Sequence, residues 1–247
     1  MRDYDDFWKL IKNSYPKHPS VRFRNHLIIK TVKQILNHFK DNTILDVGCG
    51  NGDLLKQLKE RLNFNGKNNI LSGCDISEFQ IEKNKINRLP FNFWIADFNK
   101  KIEVKSKFSI IICSEVIEHL KNWKMALENI ANMNMAGGYL ILTTQSGKIF
   151  KSDAAIGHLQ HFELGHLIDY LKMLNYKIII GEKRGFPFYN LQKYVFSSFF
   201  SMSKKIAHSD INMLTGLVFS ATYFLFRMSI KSKRFGTQIF ILANKMP

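Results

Sequence analysis

Short apolar runs alternate with amphipathic segments along most of the 247-residue chain. The runs are rich in Ile, Leu, Val and Phe, and the segments between them repeat their apolar positions at helical spacing. This alternation predicts a doubly wound α/β fold, with a mostly parallel sheet of seven strands and helical crossovers. The predicted helices are 53–62, 77–88, 123–133 and 164–174, and the predicted strands are 43–47, 70–74, 91–96, 108–113, 139–143, 176–181 and 237–243.

Two segments fall outside this alternation. Residues 1–40 are predicted to be a helical segment ahead of a domain spanning 41–247, and residues 7–40 contain eight Lys or Arg and no acid. Residues 186–236, before the last strand, contain seven Lys or Arg, one acid (Asp210) and many Phe. The uncharged stretch 211–226 is shorter than the roughly 20 apolar residues that span a bilayer. We therefore predict an inserted hydrophobic and basic cap with a buried or interfacial helix.

The composition limits the class of protein. The chain carries 36 Lys or Arg against 20 Asp or Glu, a net charge of +16, which favours anionic partners or reflects a Lys-rich bias. Three cysteines without C-x-x-C spacing argue against a disulfide framework and a structural zinc site. The acidic first six residues do not resemble a secretory signal, so we expect a cytoplasmic protein.

The strongest motif is Ile44-Leu45-Asp46-Val47-Gly48-Cys49-Gly50-Asn51-Gly52, an apolar strand followed by an acid and three glycines. The glycines permit positive φ and close backbone approach, and the predicted helix after them presents unpaired N–H groups. The spacing differs from the G-x-G-x-x-G of dinucleotide sites. An acid two residues before the first glycine suits an ammonium group better than a pyrophosphate.

This motif resembles the first motif of class I S-adenosylmethionine-dependent methyltransferases. The resemblance covers about 43–174 and the final strand, and it implies S-adenosylmethionine as cofactor. Asp46 would engage the methionine ammonium, Asp75 the two ribose hydroxyls and Asp97 the adenine amine. The residues expected to contact the cofactor are Asp46, Gly48, Cys49, Gly50, Asn51, Gly52, Asp75, Ile76, Asp97, Phe98 and Ser114.

A group of acids and a histidine, Glu115-Val116-Ile117-Glu118-His119, follows the fourth predicted strand. On a helix, Glu115, Glu118 and His119 would share one face and would be the ligands of a divalent metal. The pattern is similar to that of metal-dependent members of the superfamily, including quinone-ring O-methyltransferases and small-RNA 3′-end methyltransferases. Members without metal share its E-H ending, with the histidine in the core or at a helix cap. A divalent metal is therefore an alternative that the sequence does not favour.

A loop with two histidines, His158 and His161, follows the fifth predicted strand. In many small-molecule methyltransferases that this chain resembles, such a loop faces the acceptor. A hydroxyl acceptor must lose a proton, and we expect His161 or His119 to take it. The alternatives for His161 are a metal ligand or a hydrogen-bonded loop residue.

The acceptor is predicted only by class. Residues 114–117 read Ser-Glu-Val-Ile rather than the Asn/Asp-Pro-Pro-aromatic sequence of base-amine methyltransferases, and no RNA-binding module is recognisable, so nucleic acid is not favoured. The aromatic, basic cap favours O-methylation of a small or lipid-linked acceptor, of the quinone-like, surface-glycan or secondary-metabolite kind. Peripheral contact with the inner membrane surface through 186–236 is the matching expectation, and core packing or a dimer contact is its alternative. The rival functions are an RNA methyltransferase, a nicotinamide-dependent oxidoreductase and a non-catalytic cofactor-binding scaffold; the oligomeric state stays open.

Overall fold

The computed structural model describes residues 15–62, 69–198 and 213–247, and in them eight strands form one sheet. Seven strands lie where the apolar runs predict them, which confirms the doubly wound α/β class. The prediction of seven strands was one short, because the three-residue β7 is too brief to leave an apolar pattern. The strands are β1 Thr43–Val47, β2 Ile70–Asp75, β3 Asn92–Ile95, β4 Phe108–Ser114, β5 Asn134–Gln145, β6 Tyr176–Phe186, β7 Ile230–Ser232 and β8 Gln238–Lys245.

The strand order is β3-β2-β1-β4-β5-β8-β6-β7. Strands β1 to β5 pair in parallel, whereas β8 lies antiparallel between β5 and β6. The order reverses between β1 and β4, where Val47 lies opposite Cys74 on one side and Cys113 on the other. Ligands of doubly wound folds bind at the carboxyl ends of the strands at such a switch point. The residues just after Val47 therefore occupy the expected ligand crevice.

Helices cover both faces of the sheet. The alternation along β4 shows this directly: Ile110 and Ile112 pack with α1 and α2, and Ile111 and Cys113 pack with α4 and α6. A strand buried on both faces reads as a continuous apolar run, which is why the pattern predicts it well. The helices are α1 Pro19–Ile35, α2 Asp53–Arg61, α3 Glu78–Ile86, α4 Trp123–Met133, α5 Lys151–Ile156, α6 Leu164–Met173, α7 Phe188–Ser198 and α8 Met213–Arg227.

The N-terminal helix α1 packs against the inserted segment. Phe23 of α1 contacts the rings of Tyr189 and Phe226, with centroids 6.5 and 6.0 Å away. The predicted helix 211–226 corresponds to α8, although residues 211 and 212, like residues 1–14, lie outside the described part of the chain. Within that part, every helix falls short of the length and apolar character needed to cross a bilayer.

Candidate active site

The glycine loop, Gly48 to Gly52, connects β1 to α2 at the switch point. Gly48, Gly50 and Gly52 all have positive φ, at 72°, 47° and 71°. A Cβ on Gly48 would also collide with the Val116 side chain, so both backbone conformation and space require glycine there. The N–H groups of Gly48 and Cys49 donate to the Cys74 carbonyl at 2.8 and 3.0 Å. These bonds hold the loop against the carboxyl end of β2.

Asp75, the last residue of β2, is buried beside this loop. Its Oδ2 accepts the Gly50 N–H and its Oδ1 accepts the Ser77 N–H, both at 2.9 Å. These two bonds fix the orientation of the carboxylate, which is a group that accepts several hydrogen bonds. Ribose binding by Asp75, which the resemblance implies, stays a prediction.

Asp46 is buried near the end of β1, with 3% of its surface exposed. Burial raises its pKa to about 8, and repulsion from Asp75 adds to the rise, while Arg24 of α1 opposes it. In the ligand-free protein at neutral pH, Asp46 therefore holds a proton. A cation placed against it would stabilise the carboxylate form, which is the behaviour expected of a site for an ammonium group.

The remaining predicted cofactor residues lie at the same edge of the sheet. Asp97 follows β3, and its Oδ1 accepts from the backbone and side-chain amides of Asn99 at 3.0 and 3.1 Å. Phe98 is buried and Ile76 is half-buried. Ser114 ends β4, where its hydroxyl bonds that of Thr143 at 2.9 Å. The parallel strands thus bring to one edge of the sheet motifs that are far apart in the sequence.

The three cysteines lack the properties of catalytic nucleophiles. Cys49, Cys74 and Cys113 are buried free thiols, and burial raises the pKa of each well above its usual value. A thiol held in its protonated form is a poor nucleophile and a poor metal ligand. Cys74 and Cys113 are buried near the ends of β2 and β4, and Cys49 is buried within the glycine loop.

Glu115 does not share a helix with Glu118 and His119, contrary to the expectation of one helical face. Glu115 has φ 56°, in the left-handed region, and only Ile117–His119 forms a 3-10 turn. The Glu115 carboxylate accepts from Thr143 at 3.3 Å, Gln145 at 2.5 Å and Gln238 at 2.8 Å. Arg24 lies 4.0 Å away and is the first of the partners that lower the Glu115 pKa against the effect of burial. Glu115 is thus the centre of a hydrogen-bonded network.

Glu118, His119 and His158 form a second polar group, which we call the Glu118 cluster. One potential ligand atom from each lies within 4.8 Å of those of the others. Glu118 is fully buried; its Oε2 accepts from Thr144 at 2.8 Å, but its Oε1 has no hydrogen-bond partner within the described residues. A buried acceptor oxygen without a partner is costly unless a ligand or ion satisfies it.

The histidine loop reaches this cluster. His158 Nδ1 lies 2.9 Å from His161 Nε2, and His161 Nδ1 lies 3.1 Å from the Gly147 carbonyl. A carbonyl only accepts, so His161 Nδ1 carries a proton and its Nε2 accepts from His158. Burial lowers the pKa of His158 to about 3, so it is neutral and its remaining lone pair is on Nε2.

The sequence analysis did not identify three candidate functional residues, Arg24, Asp153 and Lys193. They come from elements that are far from the motifs along the chain. Arg24 on α1 faces Glu115 and Asp46. Asp153 on α5 lies 3.7 Å from His161 and 3.3 Å from Lys193 of α7. No local motif indicates the partners of these residues.

Several known proteins and solved structures are similar to this chain. The ubiquinone biosynthesis O-methyltransferase of Coxiella burnetii is 29% identical over 143 residues, which cover 56% of this chain and 56% of that protein. The chain thus spans about half the length of the curated relatives it matches. N-methyltransferase NodS from Bradyrhizobium japonicum, solved with S-adenosyl-L-homocysteine, superposes with a TM-score of 0.59 at 12% identity, covering 99% of both chains. Phosphoethanolamine N-methyltransferase 2 from Haemonchus contortus, solved with S-adenosyl-L-methionine, gives 0.58 at 14%, covering 100% of this chain and 61% of that one.

At these identities the solved structures bear on the fold alone, since one fold carries many chemistries. The family evidence is separate: a family described as a methyltransferase domain matches residues 38–179. That match covers more than half of the chain and includes the glycine loop, Asp75, Asp97 and the Glu118 cluster. The motif-based expectation is confirmed: this chain belongs to the class I S-adenosylmethionine-dependent methyltransferases.

Proposed function

We propose that the protein transfers the methyl group of S-adenosylmethionine to an oxygen atom of a small or lipid-linked, quinone-like acceptor. The observation that carries the proposal is the pair of buried acids, Asp46 and Asp75, on either side of the glycine loop. The pair offers a partner for an ammonium group and another for a vicinal diol, the two polar ends of this cofactor. O-methylation draws support from the name of the relatives and from the buried Glu118 cluster.

The reaction is an in-line displacement. The acceptor oxygen forms a bond to the methyl carbon, the carbon–sulfur bond breaks, and its electron pair returns to sulfur to give S-adenosylhomocysteine. A base accepts the proton of the hydroxyl group. The protein therefore has to align the acceptor with the cofactor and accept one proton.

Hydrogen bonding in the histidine loop narrows the choice of proton acceptor. The lone pair of His161 is engaged by the His158 N–H, so we propose that His161 is a positioning residue that orients His158. His119, whose ring is in edge contact with that of His158 with centroids 4.8 Å apart, is then the candidate that takes the proton, because a pKa of about 3 makes His158 a weak base. Of the two histidines expected from the sequence, this arrangement favours His119 over His161.

A divalent metal is the alternative way to acidify the hydroxyl, and the residues present fit one. Glu118, His119 and His158 would hold it, whereas the oxygens of Glu115 are already hydrogen-bonded. Asp153, His158 and His161 also converge, but Lys193 lies 3.3 Å from Asp153 and disfavours a cation there. When bound, the metal would act as a Lewis acid on the acceptor oxygen.

Binding of Mn²⁺ tests this alternative directly. Two imidazoles and one carboxylate suit Mn²⁺, Fe²⁺ or Zn²⁺. If the metal is resident, the wild type should take up one Mn²⁺, followed by loss of the free-ion EPR signal. Glu118→Gln should weaken that uptake at least about tenfold, as expected when a charged ligand is lost. Glu60→Gln, which removes an exposed acid from α2, is the matched control. Absence of uptake by the wild type would reject the metal and leave histidine as the proton acceptor.

The proposal includes a peripheral contact between the cap and an anionic membrane surface. One face of α8 is apolar and exposed: Leu217 is 59% and Phe224 63% accessible. The basic residues Arg227, Lys231 and Lys233 adjoin it. A helix with an apolar face beside cations is typical of proteins that lie on anionic bilayers. Such a contact would bring the site to a lipid-linked acceptor.

Calorimetry with S-adenosylhomocysteine, followed by turnover, tests the function. The wild type should bind saturably, and Asp75→Ala should weaken binding about 10- to 100-fold, because hydrogen bonds to a charged group are worth about 1.5–3 kcal/mol. Asp169→Ala, at an exposed acid of α6, should leave the affinity unchanged. S-adenosylmethionine with a polyprenyl catechol should then give the O-methyl product by mass spectrometry.

The outcomes separate the competing functions. No binding by the wild type would overturn the cofactor assignment and return a nicotinamide cofactor to consideration. Binding without methylation of catechol, glycan or RNA acceptors would instead indicate the non-catalytic scaffold. Methylation of RNA alone would replace the quinone-like acceptor with a nucleic acid.

A further inference from the structure

A cavity of about 430 Å³ lies between the start of α1, the end of α2 and the first turns of α8. We call it the cationic pocket. It contains no residue of the glycine loop, the Glu118 cluster or the histidine loop. The polar and aromatic residues that line it are Lys17, Arg22, Gln57, Arg61, Phe219 and Ser220.

Within the described residues, the pocket concentrates positive charge without an acidic partner. Of the lining residues that the structure describes, three are Lys or Arg and none is Asp or Glu. Among the ion pairs of the described residues, none involves Lys17, Arg22 or Arg61. Cations that share a cavity repel one another and attract an anion. The charge therefore favours a negatively charged ligand.

The pKa of His26, one turn beyond Arg22 on α1, is affected by the same positive charge. Burial lowers its pKa first, and Arg227, Lys30 and Arg61 lower it further. Among the described residues, no carboxylate shifts the pKa of His26. The surface on this side of α1 is thus electropositive beyond the pocket itself.

The pocket is also partly preorganised. The Arg22 guanidinium lies 4.3 Å from the centroid of the Tyr223 ring of α8, which restricts its position. The His18 and Phe219 rings, 5.4 Å apart, pack the start of α1 against α8. Gln57 and Ser220 add an amide and a hydroxyl donor. Two guanidinium groups with neutral donors suit the several oxygens of a phosphate.

We propose that the cationic pocket binds the phosphate group of an anionic ligand. The chemistry is shared by a free phosphate compound and a phospholipid headgroup. The exposed apolar face of α8 favours the lipid, because the helix that lines the pocket with Phe219 and Ser220 also exposes Leu217 and Phe224, and Phe224 lies one turn beyond Ser220. The site does not depend on methyl transfer, and its proof or failure leaves the proposed reaction untouched.

Two probes and a matched set of variants test the site. Co-sedimentation with vesicles of phosphatidylglycerol and phosphatidylcholine tests the lipid source, with pure phosphatidylcholine as the neutral reference, and calorimetry with inorganic phosphate tests the free source. Arg61→Gln and Arg22→Gln should each weaken binding about tenfold. Lys33→Gln, which removes one exposed cation of α1 outside the pocket, should change it less than about twofold because distant charges are screened.

The remaining variants distinguish loss of binding from loss of folding, and a lipid from a free phosphate compound. Arg61 is exposed, so Arg61→Gln reports on binding even if Arg22→Gln destabilises the fold. Phe224→Ser should weaken vesicle binding through the apolar face and leave inorganic phosphate unaffected. Binding of inorganic phosphate with no preference for anionic vesicles would retain the pocket and reject the lipid. Equal losses in all three charge variants, or no binding of either probe, would overturn the proposal. Unchanged S-adenosylhomocysteine affinity in Arg61→Gln would keep the two sites distinct.

Discussion

Between pH 6.0 and 7.5 the affinity for S-adenosylhomocysteine should rise with pH, by up to about tenfold per unit, and Asp46→Asn should remove this dependence. Asp46 has a pKa of about 8 in the ligand-free protein, against 3.8 for an ordinary Asp, because it is buried beside Asp75. Pairing with the ligand ammonium requires the carboxylate, so binding expels a proton. Lower pH opposes that loss and weakens binding.

The measurement is calorimetry across this pH range in two buffers of different ionisation enthalpy, which counts the protons released. The range stays below the pH at which an α-amino group loses its own charge, about 8. Asp46→Asn should also lower the affinity about 10- to 100-fold at pH 7.5, because a charge-assisted bond is lost. Asp169→Asn is the control with the same change in charge. A flat profile and no proton release in the wild type would contradict the assignment of Asp46 to the ammonium.

Gly48→Ala should destabilise the protein by about 2–5 kcal/mol and abolish detectable cofactor binding. The left-handed conformation of Gly48 costs an alanine about 1–2 kcal/mol, and the collision of its Cβ with Val116 adds about 1–3 kcal/mol. Relief of the collision would displace the loop that has to approach the cofactor. Urea unfolding gives the stability and calorimetry gives the binding.

Gly137→Ala separates the cost of the left-handed conformation from the cost of the Cβ collision. Gly137 has nearly the same φ, 75°, but an added Cβ would meet nothing within 4 Å. It should therefore show only the conformational cost of about 1–2 kcal/mol and bind normally. The double variant Gly48→Ala, Val116→Ala should recover the part due to the collision. Equal destabilisation of Gly48→Ala and Gly137→Ala would show that the collision is absorbed.

Local sequence patterns predicted the positions of most helices and strands. Helix α4 begins and ends as predicted, because Asn122 caps it by accepting the Met125 N–H at 3.3 Å and its apolar positions repeat at helical spacing. Strand β5 extends five residues before its predicted start, because Gly137 and Gly138 interrupt the apolar pattern while pairing of Asn134 with Phe108 continues the ladder. Cross-strand hydrogen bonds of this kind leave no trace in the sequence of one strand.

The residues of the candidate site likewise fall into two groups: those that the local sequence predicts and those that only the tertiary structure brings together. The sequence by itself determined the class, the doubly wound sheet and the glycine loop with Asp46 and Asp75, because each depends on neighbours along the chain. Only the tertiary structure decided that Glu115 is held by Arg24, Gln145 and Gln238, and that Glu118 and His119 turn to His158 instead. The cationic pocket likewise needs α1, α2 and α8 to converge. Contacts between groups distant in the chain depend on packing and on burial, and these follow from the whole fold rather than from any local pattern.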